Sequence, residues 1–256
     1  MKREEVMQLL KSNAEVVVYD ELESSNTEAK RLAKDGASEF TSVIALTQTS
    51  GKGRLGRSFI SNSDNGLYMS MILYPKLSPN KCVDITAMAA VAVLEAIKST
   101  SGVDAQIKWV NDVYIHNKKI CGILTESSIN SNGFDYVICG IGVNITPPIG
   151  GFDDSIKDIA GAIFQRESPK NYKALLCASI IDNLIKYYAE IENKTYIKIY
   201  KESSNVIGKD VDVYVGNEII SGTVIDINDM AELVVEKENG EICVFNSGEA
   251  RVRKRD

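Results

Sequence analysis

The chain is poor in the residues that most often carry catalysis or bind metals. Its 256 residues include one histidine, His116, which excludes histidine-rich metal sites and weakens any hydrolase interpretation built on a Ser-His-Asp triad. Its five cysteines are scattered and none forms a Cys-x-x-Cys pair, so they indicate buried free thiols and not disulfides or a zinc site. Chemistry must therefore rely on Lys, Arg, Asn, Asp and backbone groups.

Long apolar runs are also missing. A helix that spans a bilayer needs about 18 to 20 consecutive apolar residues, and no stretch of this chain is nearly that long. The acids near the N-terminus, Glu4 and Glu5, stand where a secretory signal needs an apolar core. We expect a cytoplasmic protein with no membrane partner. A formal net charge of −6 argues against a broad nucleic-acid footprint. The basic tail, residues 251–255, leaves a nucleic-acid-binding regulator as an alternative function, although such tails are usually solvated ends.

The most informative segment is Gly51–Arg57, in which three glycines alternate with three cations. Glycine lets the backbone approach a ligand closely, and Lys and Arg supply the charge that a phosphate requires. The loop is not a Walker A motif, because no Gly-Lys-Ser/Thr occurs at the required spacing. Gly51, Gly53 and Gly56 do have the Gly-x-Gly-x-x-Gly spacing, but the next predicted element is a strand and not a helix, so we do not interpret the loop as a dinucleotide-binding fingerprint. It predicts local recognition of a phosphorylated small molecule, and on this motif alone a solvated surface loop is an equal alternative.

The residue pattern predicts an α+β chain. A capping box, Ser25 to Glu28, predicts a helix to about Lys34 that Gly36 stops. Apolar spacing predicts two further helices and one short one, while β-branched and apolar runs predict strands. The predicted helices cover residues 80–99, 172–188 and 194–203, and the predicted strands cover 14–19, 42–48, 66–74, 105–109, 112–116, 120–127 and 134–145, with a turn at Asn117-Lys118.

The pattern changes near Gly208. Val211, Val213 and Val215 alternate with polar residues, Gly216-Asn217 indicates a turn, and Asn239-Gly240 is typical of a type I′ hairpin. We therefore predict two domains, residues 1–207 and a small all-β, barrel-like module over residues 208–256.

Four further motifs carry polar groups into apolar surroundings. Lys108–Asp112 contains Asn111 and brings an amine, an amide and a carboxylate together, although a surface turn is the alternative. Gly122, in the strand that Lys119 opens, and Gly142, beside Asn144, predict close approach of a ligand or of another backbone, with a bulge as the alternative at Gly122. Ser24 and Asn26 flank the predicted helix cap.

In this order the motifs resemble those of the biotin protein ligases. The resemblance runs from about residue 14 to the C-terminus. It implies a catalytic domain like that of class II aminoacyl-tRNA synthetases, with a mixed sheet flanked by helices, over residues 1–207, and a C-terminal SH3-like barrel. Because the first motif begins at Ser24, we expect no winged-helix DNA-binding domain before it, which is the monofunctional type with no DNA partner.

The resemblance also implies the reaction. ATP activates biotin as biotinyl-5′-AMP, and a lysine of a biotin carboxyl carrier protein or carboxylase carrier domain then accepts the biotinyl group. The implied cofactors are ATP, biotin and Mg²⁺. A homodimer through a catalytic-domain sheet edge is expected by family analogy. A lipoate or octanoate ligase is the nearest alternative, but it would need a longer apolar channel and no partners for a ureido ring.

By resemblance, the catalytic residues are Lys119, Arg54, Lys108 and Asp112. Asp112 is a candidate partner for Mg²⁺ or for the acceptor lysine, and no set of metal ligands is assigned. The chain departs from the family at Val110, usually Pro, at Lys52, usually Arg, at Phe59, often Trp, and at Cys121. The expected ligand-binding residues are Ser24, Ser25, Asn26, Gln48, Gly51, Lys52, Gly53, Arg54, Arg57, Phe59, Lys108, Asn111, Lys119, Gly122, Gly142 and Asn144.

Overall fold

The computed structural model describes residues 1–61, 65–78, 82–131 and 133–253. Within these ranges no helix is both long enough and apolar enough to cross a bilayer. The first residues of the predicted helix over 80–99 and the end of the basic tail, Lys254 and Arg255, lie outside the described residues.

A seven-stranded mixed sheet forms the larger part of the molecule. Its strand order is β1-β2-β3-β7-β6-β5-β4, in which β1 and β2 are parallel and every other neighbouring pair is antiparallel. All seven strands were predicted, with ends that differ by up to three residues. They are β1 Val16–Leu22, β2 Ser42–Gln48, β3 Gly66–Leu73, β4 Gln106–Lys108, β5 Asp112–Ile115, β6 Lys118–Asn130 and β7 Gly133–Asn144.

Helices cover both faces of this sheet. Successive side chains of a strand point to opposite faces, so Val43, Ile72 and Ile138 pack with α2 while their neighbours join the main core under α3 and α4. This double cover explains why every residue of β3 is buried. The helices are α1 Arg3–Met7, α2 Ser25–Lys34, α3 Cys82–Ser101, α4 Tyr172–Ala189 and α5 Ile197–Glu202.

Three local predictions were wrong or incomplete. The five-residue α1 was not predicted, because so short a helix carries too little periodicity. Ser24, not Ser25, is the N-cap of α2, and no side chain caps it. The expected capping box fails because Glu28 accepts a hydrogen bond from Tyr19 (2.8 Å) instead. The turn between β5 and β6 lies at His116-Asn117, where both φ angles are positive (47° and 61°), and Lys118 already belongs to β6.

The C-terminal part is a five-stranded antiparallel sheet of order β11-β10-β9-β8-β12, as expected for a small β-domain. Its edge strands do not pair with each other within the described ranges, so barrel closure and the domain boundary at residue 208 stay predictions. The strands are β8 Asp210–Val215, β9 Glu218–Ile227, β10 Leu233–Glu236, β11 Ile242–Phe245 and β12 Glu249–Val252.

The predicted hairpin between β10 and β11 is present, but its turn is not type I′. That type requires positive φ at both central residues. Here Gly240 (φ 82°) has positive φ and Asn239 does not, and Gly240 N donates to Lys237 O (2.9 Å). The longer loop, with glycine alone in the left-handed region, replaces the two-residue turn.

Candidate functional site

One pocket collects most of the residues that the sequence predicted. It lies over β6 and β7 at the C-terminal end of β2 and is open to solvent on one side. The predicted residues that line it are Ser24, Ser25, Asn26, Gln48, Lys52, Gly53, Arg54, Phe59, Asn111, Lys119, Gly122 and Gly142. Ile123, Leu124, Gly140 and Ile141 line it too and were not assigned to the site.

The basic loop, residues 51–57, is folded as a small hairpin beside this pocket. Gly53 N donates to Arg57 O (2.7 Å), and Phe59 N donates to Gly51 O (2.9 Å). A short 3₁₀ turn, Arg54–Gly56, closes its tip. A Cβ at Gly51 would collide with Phe59 O and Ser61 Oγ, which explains why glycine is needed there although Gly51 does not itself line the pocket.

Arg54 connects the loop to the sheet. Its Nη1 donates to Asn111 Oδ1 (2.9 Å), and Asn111 Nδ2 donates to Ile123 O on β6 (2.9 Å). Burial lowers the pKa of the Arg54 guanidinium, and the nearby Asp112 carboxylate partly offsets this. An arginine remains a cation at neutral pH even so. The arrangement therefore holds a partly desolvated positive charge at the pocket wall.

Lys119 supplies a second cation. Its Nζ lies 2.7 Å from Asp112 Oδ1, and the two side chains are 30% and 20% exposed. The pair is close enough for an ion pair, although Asp112 Oδ1 has no aligned hydrogen bond. Lys119 lines the pocket and Asp112 stands behind it. The carboxylate therefore orients the amine without occupying the cavity.

Of the five predicted cations, Lys52, Arg54 and Lys119 line the pocket, and the other two, Lys108 and Arg57, do not. Lys108, on β4, has its Nζ 5.5 Å from the ring centroid of Tyr114. Burial lowers the pKa of Lys108, with Asp112 and Glu249 acting in the opposite direction. Arg57 pairs with Glu249 on β12 (2.5 Å) and so ties the basic loop to the C-terminal sheet. Nothing in the sequence pattern pointed to this partner.

The opposite end of the pocket is a neutral hydrogen-bonding network. Ser25 N donates to Gln48 Oε1 (2.8 Å), and Gln48 Nε2 donates to Ser61 Oγ (2.9 Å). Ser70 Oγ, fully buried on β3, donates to Asn26 Oδ1 (2.6 Å). Ser61 and Ser70 were missed, although Ser70 interrupts an apolar strand and could have been noticed for that reason.

The floor of the pocket depends on two glycines and one aromatic ring. Gly122 and Gly142 are directly opposite each other across β6 and β7. The Phe59 ring lies over them, since a Cβ at Gly142 would approach that ring to 2.7 Å and one at Gly122 would approach it to 3.3 Å. Tyr68 meets Phe59 edge-on, with the ring centroids 6.3 Å apart. Phe59 therefore fills part of the space that the two glycines leave.

Asn144 has a structural partner. Its side-chain Nδ2 donates to Gly161 O (3.0 Å), and its backbone carbonyl accepts from Ile163 N (3.1 Å). The side chain is buried and is absent from the pocket lining. Of the two partners that the sequence left open for this buried amide, a ligand or a nearby loop, the structure supplies the loop.

Gly140→Ala is expected to destabilise the protein. A Cβ there would collide with Asn26 Oδ1, which Ser70 and the helix hold in place. Overpacking of this kind costs about 1–3 kcal/mol. Urea unfolding should show that loss, with Ser221→Ala, an exposed position on β9, as the control. Equal midpoints for Gly140→Ala and the wild type would contradict the packing described.

Comparison with known proteins agrees with this geometry. Residues 20–144 match the Biotin/lipoate A/B protein ligase family. The Bifunctional ligase/repressor BirA of Bacillus subtilis is 35% identical over 228 residues, which cover 88% of this chain and 70% of that protein. A Biotin--[acetyl-CoA-carboxylase] ligase of Paracoccus denitrificans is 36% identical over 125 residues, which cover 48% of this chain and 51% of the relative.

Solved structures share the fold. A biotin protein ligase from Aquifex aeolicus in complex with biotin and ATP superposes with a TM-score of 0.77 at 24% identity, covering 94% of this chain and 99% of that one. A point mutant of the Aquifex aeolicus ligase in complex with biotin gives a TM-score of 0.75 at 27% identity, with the same coverage of both chains.

Proposed function

This chain belongs to the biotin protein ligase family, and we infer from that membership that it joins biotin to a lysine of a carrier protein at the expense of ATP. The observation that best supports this function is the meeting of Arg54 and Lys119 with a neutral hydrogen-bonding network in one pocket. A substrate with a carboxylate at one end and a neutral polar ring at the other fits such a site.

The reaction has two steps. In the first, a biotin carboxylate oxygen attacks the α-phosphorus of ATP, and the bond to the β-phosphate breaks to release pyrophosphate. In the second, the amine of the acceptor lysine attacks the carbonyl carbon of biotinyl-5′-AMP. The C–O bond to AMP breaks, the amine loses a proton, and an amide forms.

The first step brings two anions together. Preorganised cations in a pocket with little water reduce that repulsion and stabilise the charge that develops on the phosphate oxygens. We assign this role to Arg54 and Lys119, since both line the pocket and each is held by a neighbour, Asn111 and Asp112 respectively. Lys52 and Arg57 would add charge from the loop, and Lys108 would act from behind the wall.

The neutral network would hold the ureido ring of biotin. Ser24, Ser25, Asn26 and Gln48 are all buried and lie along one side of the pocket. The Phe59 ring, which lies over Gly122 and Gly142, would be an apolar wall for the bicyclic ring and the valeryl chain. The basic loop would close over the adenylate and exclude water.

Mg²⁺ is the remaining implied component. Among the residues that the structure describes, no three His, Cys, Asp or Glu side chains are grouped to hold a metal ion. Mg²⁺ commonly uses one or two carboxylates together with substrate phosphates, and Asp112, whose Oδ1 already lies 2.7 Å from Lys119 Nζ, is the candidate for such a carboxylate. When bound, the ion would neutralise phosphate charge.

We further propose a cytoplasmic homodimer that does not bind DNA. The five cysteines are free, which supports a reducing compartment.

The proposals on DNA and on the dimer rest on other contacts. Arg251 pairs with Glu249 (3.1 Å) and Arg253 lies 3.6 Å from Asp212, so the described part of the basic tail is already paired with acids of the chain itself. Residues 203–205 cover the β4 edge of the main sheet, which leaves β1 as the candidate dimer edge. Analytical ultracentrifugation tests the dimer.

Intact-mass analysis of a biotin carrier domain tests the proposed activity directly. The domain is incubated with this protein, ATP, Mg²⁺ and biotin, and we expect one biotinyl group to be added. Lipoate in place of biotin tests the alternative, because the matched family model covers both kinds of ligase. Turnover of lipoate with none of biotin would overturn the assignment.

Glu249→Gln is expected to raise the KM for ATP about 2- to 5-fold with little change in kcat. The variant loses the ion pair that ties Arg57 to β12, together with the pair between Glu249 and Arg251, and an exposed ion pair is worth about 0.2–1 kcal/mol. Steady-state adenylation at several ATP concentrations measures it. Glu236→Gln, at an exposed position on β10 of the same sheet, is the control. An unchanged KM for ATP would show that the pair does not help to place the loop.

A further inference from the structure

Asn26 lies at the centre of the neutral end of the pocket, and almost all of its hydrogen-bonding capacity is already used. It is 3% exposed. Its Nδ2 donates to Glu126 Oε2 (2.8 Å) and to Leu124 O (3.3 Å), while its Oδ1 accepts from Ser70 Oγ (2.6 Å). What remains for a ligand is the second lone pair of Oδ1, because both amide hydrogens point at protein acceptors.

Glu126 fixes the orientation of the Asn26 amide, with Nδ2 toward the carboxylate and Oδ1 away from it. Its carboxylate also accepts from Lys30 Nζ (2.5 Å). Burial alone would raise the pKa of Glu126, but the hydrogen bonds from Lys30 and Asn26 outweigh it and the pKa is lowered. An ionised carboxylate only accepts hydrogen bonds. A flipped Asn26 would set its Oδ1 against this carboxylate and the Leu124 carbonyl, so the observed orientation is enforced.

The amide oxygen is also the atom that reaches the pocket floor. It stands directly over Gly140, a lining residue, where there is no room for a Cβ. The pocket therefore presents a hydrogen-bond acceptor at this point. An N–H donor of a ligand complements it, whereas a carbonyl or ether oxygen does not.

We propose that Glu126 is a positioning residue for the substrate: it holds Asn26 so that its Oδ1 accepts a hydrogen bond from a ureido N–H of biotin. The inference rests on the proposed function, since it takes biotin as the ligand of this pocket. Glu126 acts through Asn26 and does not itself line the cavity.

Calorimetric titration of the full-length protein with biotin tests the proposal. Glu126→Ala should weaken biotin binding about tenfold, because the amide is then free to flip or rotate and the ligand hydrogen bond is lost. Glu126→Gln should retain most of the affinity, since a glutamine oxygen still accepts from Asn26. In turnover, Glu126→Ala should raise the KM for biotin and leave kcat nearly unchanged.

Two variants serve as controls. Glu28→Ala removes another partly buried carboxylate that accepts from one hydroxyl, Tyr19, and pairs with one cation, Arg31, but lies away from the pocket. Lys30→Ala removes the ion pair and leaves the Asn26–Glu126 hydrogen bond. Both should bind biotin within about twofold of the wild type. Circular dichroism melting shows whether each variant is folded.

The most specific measurement compares biotin with analogues in which one ureido N–H is replaced by oxygen. The wild type should prefer biotin about tenfold or more over one of these analogues, and in Glu126→Ala that preference should fall toward one. If the preference is unchanged, or if Glu126→Gln loses as much affinity as Glu126→Ala, the positioning role is refuted. A wild type that does not bind biotin at all would instead refute the proposed function, and this inference with it.

Discussion

Lys119→Ala is expected to fold normally and to form biotinyl-5′-AMP about 100- to 1,000-fold more slowly than the wild type. Removal of one preorganised donor from a site of developing negative charge typically has an effect of this size. Lys119 Nζ is held at the pocket by Asp112, 2.7 Å away. The substitution also leaves that carboxylate unpaired beside two anionic substrates, which adds repulsion where there was attraction.

Single-turnover measurement of adenylate formation, with pyrophosphate release as a second readout, tests Lys119. Lys118→Ala is a matched control on the adjacent residue, since the Lys118 Nζ contacts the carbonyls of Asp158 (2.7 Å) and Lys157 (3.2 Å) and does not line the pocket. A Lys119→Ala protein that retains the full single-turnover rate would show that this amine takes no part in the reaction.

Arg54→Ala should lower the same rate by about 100-fold or more. Its guanidinium is partly buried and is fixed by Asn111, so the charge is already in place before the substrates bind. Arg54→Lys should recover only part of the rate, because an ammonium keeps the charge and loses the planar fork that contacts a carboxylate or phosphate at two points.

Arg31→Ala is the control for Arg54. Arg31 is exposed and pairs with Glu28 and Asp35 on α2, away from the pocket. The combined variant of Arg54 and Lys119 should lose less than the product of the two single effects if both cations stabilise one transition state. If Arg54→Ala forms the adenylate at the wild-type rate, the reacting carboxylate must lie elsewhere.

Much of the fold was visible in the sequence because its signals are local. The apolar spacing of residues 80–99 and 172–188 predicted α3 and α4, and β-branched and apolar runs predicted all seven strands of the main sheet. Predictions of local chemistry were less secure. Ser25 and Glu28 form a capping-box pattern, yet Ser25 N donates to Gln48 and Glu28 accepts from Tyr19. Distant partners outcompeted the local hydrogen bonds.

The sequence predicted most of the residues that line the candidate site, but not how they contact one another. Arg54, Asn111 and Lys119 come from three separate motifs, and only the pairing of β5 with β6 and the fold of the basic loop bring them together. Phe59 follows the loop in sequence, but its ring lies on Gly122 and Gly142, which belong to strands far along the chain. The contacts of Glu249 and Glu126 had no signal in the sequence, because a lone acid in a strand is typical of a solvated side chain.

By itself, the sequence determined the strands of the main sheet and the longer helices, and its ordered motifs carried the resemblance from which the family, the reaction and the candidate cations and small polar residues were inferred. Each of these depends on residue type and short-range spacing, which the chain carries in linear order. The tertiary structure alone decided which amide atom faces the ligand at Asn26, which cation lies in the pocket and which behind it, and which acids hold them. Those choices depend on hydrogen bonds and ion pairs between segments that meet only after the sheet has formed.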